Sequence, residues 1–354
     1  MAGWPANEKA LEILTENLQK LGITPRREKF HMPGWFREND EVKIIEPLER
    51  RLQAVALGYV DSKPSFQAAV EYVQYGREEE YQGKDVQGKI VLVTSEQPPG
   101  QEAPLRSEVI HIAAQKGAET VLFINTKAGG LTLAGTGNFQ GDPTPIPAFS
   151  LSREEGEWLQ RLLEKETPVR LEIATRSYCR EVETANVVVR LPGESDQKIV
   201  VGAHLDSWDL GQGSIDNGLG SAILFDVVRL FLQFSFKNFY TIEFVWFNGE
   251  ELGLWGAKKY LEMHSADKFL AMINMDMTGS PTGFNAMGSD ELIPLLEGLV
   301  SDLPGFHLYR GGDQPSLDQQ RSATVYTSGY SHPDASGPSG SGDGSILPQP
   351  GGYF

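Results

Sequence analysis

Apolar residues at helical spacing open the chain. Leu11, Leu14 and Leu18 recur every three or four positions, which predicts an N-terminal helix with one buried face. Gly22 follows as a natural end for that helix. Residues 27–32 then read as a strand, before charged and proline-containing sequence interrupts the pattern.

Short apolar runs typical of strands characterise the next region, up to about residue 183. The pattern predicts strands at 89–93 and 120–124, with a helix at 107–116 between them. Ser152 followed by Glu155 is a capping-box signal for the start of a further helix. Without ligand spacing or a nucleophile motif, this region reads as a small α+β module.

Strands alternate with helices from about Asn186 onward. The predicted strands are 187–189, 199–204, 241–247 and 269–275, and the predicted helices are 219–234 and 254–263. This alternation implies an α/β fold with a mostly parallel central sheet flanked by helices. The helix at 219–234 is apolar on almost every side, so we expect it to be well buried.

These changes of pattern divide the chain into three predicted regions. An α/β domain comprises 1–50 and 184–330, and a small α+β domain is inserted at 51–183. The tail at 331–354 is atypical: from Pro333 to Phe354, 14 of 22 residues are Gly, Pro or Ser. Such a composition buries too little apolar surface to fold, so we expect disorder there.

Composition narrows the class of protein. A chain of 354 residues with 40% hydrophobic and 22% charged residues is typical of a globular protein. The net charge of −17 argues against general binding to nucleic acid or anionic membranes. No apolar run reaches the roughly 20 residues that a membrane span needs. The single cysteine, Cys179, excludes an intrachain disulfide.

The location in the cell is left open by the sequence. Met1 leads directly into the helical pattern without a signal peptide, which suits a cytoplasmic protein as given. An exported or periplasmic protein whose leader has been removed is the alternative.

Polar clusters follow three of the predicted strands. His204 and Asp206 end the first, and Asp216 lies ten residues further on; Glu250-Glu251 follows the second. Asp276 ends the third. Because ligands bind beyond the carboxyl ends of the strands in an open parallel sheet, we expect these clusters to converge.

Crowded carboxylates repel one another unless a cation lies between them. A mixed imidazole and carboxylate set suits zinc, with manganese or cobalt as alternatives. Asp216 could bridge two metals, and one of the two adjacent glutamates could remain a free base. Each motif alone is weakly specific, because an H-x-D is common by chance and Asp-Asn-Gly is usually a turn. Their order, each at the end of an apolar strand, is far more specific.

The motifs HLDSWDLGQGSIDNGLG, NGEELGLWGA and INMDMTG closely resemble those of M28 co-catalytic zinc peptidases, which include aminopeptidases and glutamate-carboxypeptidase-like enzymes. The resemblance covers about residues 1–330, with 51–183 similar to the protease-associated (PA) domain inserted in many members. It implies a peptide substrate and two zinc ions.

The resemblance also implies a role for each residue of the motifs. His204 and Asp276 would bind one zinc ion, Glu251 the other, and Asp216 would bridge the two. Glu250 would be the general base, and Asp206 would orient His204 from behind. The metals would hold a water that attacks the substrate carbonyl, and Glu250 would pass its proton to the leaving amine.

The family's last histidine ligand has no clear counterpart. The late stretch Gly329–Ser336 places His332 one residue later than the family pattern and lacks the Tyr-His pair that should follow. One hypothesis is that the chain leaves the family pattern after about Thr327, through truncation or an altered reading frame. A second is that His332 serves as the ligand. If neither it nor another group completes the second site, we expect impaired activity.

Three alternatives to an aminopeptidase stay open. A dipeptidase or carboxypeptidase would share the same metals and base. A cyclase of related fold is disfavoured by the apparent bridging Asp216 and free Glu250. A non-catalytic binding or structural module is favoured by the missing late histidine and opposed by the retained ligands. His31, His111, His264 and His307 lie apart from ligand-spaced partners, so we interpret them as surface or core residues.

Overall fold

The computed structural model describes residues 1–98, 100–101, 103–278, 283–286 and 289–310, together with the backbone of 323–327. The predicted tail at 331–354 and His332 lie outside the described residues. The helices are α1 (Pro5–Lys20), α2 (Arg106–Gln115), α3 (Arg153–Glu164), α4 (Gly220–Phe234), α5 (Trp255–Met263) and α6 (Ile293–Ser301). The strands are β1 (Arg26–Phe36), β2 (Glu41–Glu46), β3 (Arg50–Arg51), β4 (Ala54–Ala56), β5 (Lys63–Tyr72), β6 (Ile90–Thr94), β7 (Thr120–Ile124), β8 (Ala148–Leu151), β9 (Arg170–Thr175), β10 (Tyr178–Leu191), β11 (Ser195–His204), β12 (Tyr240–Phe247), β13 (Phe269–Asn274), β14 (Gly283–Asn285), β15 (His307–Tyr309) and β16 (Ala323–Thr327).

The chain divides into two compact units. The first contains Met1–His31, Glu183–Glu250 and the described residues from Leu254 onward. The second contains Met32–Val182 and the short segment Glu251–Gly253. The domain boundaries inferred from the sequence stay predictions, because these units are defined by compactness alone.

The sheet of the first unit has the strand order β1-β10-β12-β11-β13-β16-β14-β15. Its centre, β12-β11-β13, is parallel, whereas β10 joins β12 and β16 joins β13 in antiparallel fashion. The α/β class and the predicted parallel core are therefore confirmed. The antiparallel neighbours add detail that hydrophobic periodicity does not encode, since a strand pattern carries no direction.

Alternating side chains of the central strands face two separate cores. On one face Val187, Phe244 and Trp246 pack with α1 and α4 through residues that include Leu11 and Leu224. On the other face the core contains Val188, Val200, Val245, Phe247 and Tyr260 of α5. Helices thus cover both faces of the parallel strands, which explains their near-continuous apolar sequence.

Helix α4 is less buried than its composition predicts. Only one stripe, Gly220, Ser221, Leu224 and Val228, is fully buried, and Phe234 at its end is 60% exposed. The prediction of a well-buried helix was wrong because the sheet covers one side of α4 and leaves part of its apolar surface to solvent.

The second unit contains a sheet of order β3-β2-β9-β5-β6-β7-β8-β4, with β5-β6-β7-β8 parallel. Helix α3 begins as predicted, with the Ser152 hydroxyl accepting a hydrogen bond from the amide of Glu155. The Glu155 carboxylate accepts hydrogen bonds from Arg50 instead of closing the capping box. Among the residues that the structure describes, no helix combines the length and apolar character that crossing a membrane requires.

Candidate metal centre

Strand register brings the polar clusters to one edge of the first unit's sheet. His204, the last residue of β11, pairs with Phe247, the last residue of β12. Gly202 of β11 pairs with Asn274 of β13, so Asp276 follows at the level of His204. The expected convergence at the carboxyl ends of the parallel strands therefore takes place.

His204 lies at the centre of this edge and is only 3% exposed. Its Nδ1 donates a hydrogen bond to the backbone carbonyl of Asp206 at 2.9 Å. This bond fixes the ring and directs Nε2 towards two carboxylates, with Asp216 Oδ1 at 3.0 Å and Asp276 Oδ1 at 3.3 Å. Both carboxylates are more than one-third exposed, so the site opens to solvent on the side opposite the buried imidazole.

Asp216 is held by the irregular helical turn Ser214–Leu219 that precedes α4. The neighbouring Asn217 is fully buried and donates a hydrogen bond to the carbonyl of Met275 at 2.8 Å. This bond links the turn that carries Asp216 to the residue preceding Asp276. Gly220 is required beside it, because an added Cβ would lie 2.2 Å from Asn217 Oδ1 and 2.4 Å from the Met275 carbonyl.

Asp206 joins the histidine loop to the glutamate loop. Its backbone carbonyl orients His204, while its carboxylate Oδ1 accepts a hydrogen bond from the backbone amide of Glu250 at 3.0 Å. The same Oδ1 lies 3.8 Å from His204 Nδ1. The predicted support of His204 by Asp206 thus comes from the carbonyl, and the buried carboxylate positions Glu250 instead.

Glu250 and Glu251 follow β12 on a loop closed by two backbone hydrogen bonds. The amide of Leu254 donates to the Glu250 carbonyl at 2.8 Å, and that of Trp255 donates to the Gly249 carbonyl at 3.0 Å. The carboxylates of both glutamates have oxygens within 4.8 Å of a ring nitrogen of His204 and of each other.

Burial and crowded carboxylates shift the pKa values of Glu250 and His204. Burial raises the pKa of Glu250 to about 8, with the carboxylates of Asp276, Asp206 and Asp216 adding to the shift and His204 opposing it. Burial lowers the pKa of His204, but the carboxylates around it outweigh that effect and raise it well above 6.5. The crowded carboxylates thus favour positive charge at this edge of the sheet.

The donor set fits a metal such as zinc. Two groups of potential ligands share His204: one adds Asp216 and Asp276, and the other adds Glu250 and Glu251. The Nε2 to carboxylate distances of 3.0 and 3.3 Å match the separation of about 3.3 Å between ligands of one tetrahedral zinc ion. Within the described part of the chain, both candidate ligand groups include His204.

Of the other histidines considered from the sequence, the structure describes His264 but not His332. His332 lies outside the described residues, so its role as a ligand stays a prediction. His264 is engaged elsewhere, with Nδ1 2.7 Å from Asp267 and Nε2 3.1 Å from Glu28. This pairing suits its interpretation as a structural residue.

Sequence reasoning missed four buried asparagines that support the site: Asn7, Asn186, Asn217 and Asn248. Asn186 directly precedes the apolar run 187–189, and Asn248 directly follows the predicted strand 241–247. A polar residue bordering an apolar strand was the available signal, because such residues are buried only when their hydrogen bonds are satisfied.

Comparison with known proteins finds two family models that match parts of the chain. Residues 186–300 match the model of peptidase family M28, and residues 55–159 match that of the PA domain. The chain therefore contains a segment that matches peptidase family M28, preceded by a segment that matches the PA domain. The resemblance drawn from its three motifs is confirmed.

Individual relatives have low sequence identity to this chain but match most of its length. Carboxypeptidase Q from Mus musculus is 26% identical over 307 residues, covering 83% of this chain and 65% of that protein. A crystal structure of a peptidase M28 precursor from Shewanella amazonensis superposes with a TM-score of 0.77 at 25% identity, covering 92% of this chain and 80% of that one. A zinc aminopeptidase from Bacillus subtilis shares the fold, with a TM-score of 0.69 at 20% identity over 92% of this chain and 80% of its own. The chain thus spans slightly less than two thirds of the length of its curated relative.

Proposed function

We propose that the protein is a zinc-dependent aminopeptidase. The observation that carries the proposal is the convergence of one buried imidazole and four carboxylates, those of Asp216, Glu250, Glu251 and Asp276, beyond the ends of three strands. The solved zinc aminopeptidase that shares this fold supports the choice of metal.

The proposed assignment gives each residue one task. His204 and Asp276 would hold one zinc ion, Glu251 would hold the other, and Asp216 would be shared between them. Bound zinc would polarise the scissile carbonyl and lower the pKa of water. Glu250 accepts the proton of the attacking water and delivers it to the leaving amine.

The buried environment of Glu250 suits proton transfer. A carboxylate whose pKa is raised towards neutrality holds a proton more strongly than an exposed glutamate does. The hydrogen bond from the Glu250 amide to Asp206 fixes the start of the loop that carries this base. The raised pKa lets Glu250 hold the transferred proton, and the hydrogen bond keeps Glu250 in place while it does so.

A carboxypeptidase or dipeptidase is the second candidate, because the curated relative is named carboxypeptidase Q. Three substrate types separate the candidates: an aminoacyl 4-nitroanilide, a dipeptide with free ends, and an N-blocked dipeptide with a free carboxylate. Cleavage of the anilide that chelator abolishes and zinc restores supports the proposal. Cleavage of only the N-blocked dipeptide identifies a carboxypeptidase, and cleavage of only the free dipeptide identifies a dipeptidase.

A further inference from the structure

A buried amide network lies directly behind the loop that carries Glu250 and Glu251. Its members are Asn7 of α1, Thr184 and Asn186 of β10, and Asn248 at the end of β12. Asn186 and Asn248 are fully buried, and Thr184 and Asn7 are 4% and 6% exposed. Buried polar side chains persist at such positions only when partners satisfy them.

The side chain of Asn248 is saturated by this network. Its Nδ2 donates to Asn7 Oδ1 at 2.8 Å and to Thr184 Oγ1 at 2.6 Å. Its Oδ1 accepts from Asn7 Nδ2 at 3.0 Å, which makes the two asparagines a reciprocal pair. The residue two positions before Glu250 is therefore fixed from two sides.

Asn186 holds both ends of the glutamate loop with one side chain. Its Oδ1 accepts a hydrogen bond from the backbone amide of Asn248 at 3.1 Å. Its Nδ2 donates to the carbonyl of Gly256 at 2.8 Å. The loop from 248 to 256 is consequently closed at its base by a single amide group.

Gly256 shows how tightly this base is closed. A Cβ at Gly256 would lie 2.5 Å from Asn186 Oδ1 and 2.5 Å from the Asn248 carbonyl. Only a residue without a side chain permits this approach. The glycine therefore lets the two ends of the loop approach each other at its base.

We propose that Asn186, acting with Asn248, is a positioning residue that sets where Glu250 and Glu251 face His204. The inference rests on the proposed function and deepens it, because it names a group of the chain that acts through the loop rather than on substrate. Outer groups that orient metal ligands commonly contribute about 10- to 100-fold to metal affinity or activity. The helix α1, distant in sequence, contributes to the site through Asn7.

The test compares three variants with the full-length wild type. Asn186→Ala removes both links, and Thr184→Val removes one acceptor of Asn248. Thr241→Val is the matched control: Thr241 is 2% exposed, lies at the other end of β12, and bonds Gly193 and Ser195 through its hydroxyl. This variant also removes a buried hydroxyl, but one that does not bond to the loop from 248 to 256.

Two readouts separate positioning from a purely structural role. Zinc affinity of the folded proteins is measured by chelator competition, and kcat and KM are measured with an aminoacyl 4-nitroanilide. We expect Asn186→Ala to bind zinc roughly 10- to 100-fold more weakly and to lose kcat by a similar factor with little change in KM. Thr184→Val should lie between it and Thr241→Val, which should match the wild type.

The outcomes distinguish the inference from the function on which it rests. Wild-type zinc affinity and kcat in folded Asn186→Ala would overturn the inference alone. Equal losses in Thr241→Val would also overturn it, because they would reflect general destabilisation. A folded wild type without zinc binding or turnover would overturn the proposed function itself. Should Asn186→Ala not fold, Thr184→Val decides between wild-type and weakened zinc affinity.

Discussion

At the scale of single residues, the site depends on how each polar group is held. His204 is oriented by a backbone carbonyl, which leaves Nε2 facing Asp216 and Asp276. His204 and Asp276 could be proposed as ligands from the sequence because each ends an apolar strand, whereas Asp216 lies in a loop and was proposed from the order of the motifs. The carboxylate of Asp206 could not be assigned to the Glu250 amide, since that contact joins residues 44 positions apart and depends on the relative placement of two strands.

Replacing the proposed base tests its role directly. Glu250→Gln should retain bound zinc and lose about 10²- to 10⁴-fold in kcat, because an amide cannot accept the water proton. Zinc content and kcat are measured on the same preparation. Glu262→Gln, an exposed change on α5, serves as the control and should match the wild type. A Glu250→Gln enzyme within a few-fold of wild-type kcat would contradict the assignment.

Protons should compete with zinc at His204. Burial lowers the pKa of its ring, but the surrounding carboxylates outweigh that effect and raise this pKa well above 6.5, which favours a proton on the ring. A metal needs the Nε2 lone pair and must displace that proton. Zinc affinity should therefore fall as pH is lowered, by about tenfold per pH unit for each proton released. Calorimetry in buffers of different ionisation enthalpy measures the release, and an affinity independent of pH between 6 and 7 would exclude it.

At the scale of elements, strands β11, β12 and β13 could be predicted within a few residues from apolar runs alone. The pairing of β10 and β16 could not, because neighbours in a sheet are chosen by packing rather than by local pattern. For the same reason, the sequence did not predict the ionic cluster on the α5 face of the sheet. There Lys198 of β11 donates to Glu243 of β12 at 3.0 Å and to Asp267, with both Lys198 and Glu243 buried.

Breaking this buried pair should be costly for folding. Lys198→Met leaves the carboxylate of Glu243 buried without its nearest cation, and we expect a loss of about 3 kcal/mol in the free energy of unfolding. The double variant Lys198→Met/Glu243→Leu should recover most of the loss, because neither charge then remains. Urea unfolding of both variants measures the difference. A double variant less stable than the single variant would contradict this expectation, because removing the second charge would then destabilise the fold further.

At the scale of the whole molecule, the chain divides into two compact units, and the described candidate metal ligands all follow strands of the first unit's sheet. The motifs were sufficient to identify peptidase family M28, because their order along the chain is specific. They were insufficient to define the second metal site, since the candidate His332 lies beyond the described residues. Metal stoichiometry is therefore the quantity on which the proposed function depends most.

Metal analysis of the purified full-length protein, alongside an aminoacyl 4-nitroanilide assay, tests this dependence most directly. We expect two zinc equivalents per chain and hydrolysis that is lost with chelator and restored by zinc. The free amino group should be required, so an N-acetylated form of the same anilide should not be cleaved. A folded protein that binds no zinc and cleaves neither anilide would contradict the assignment of the chain as a zinc-dependent aminopeptidase.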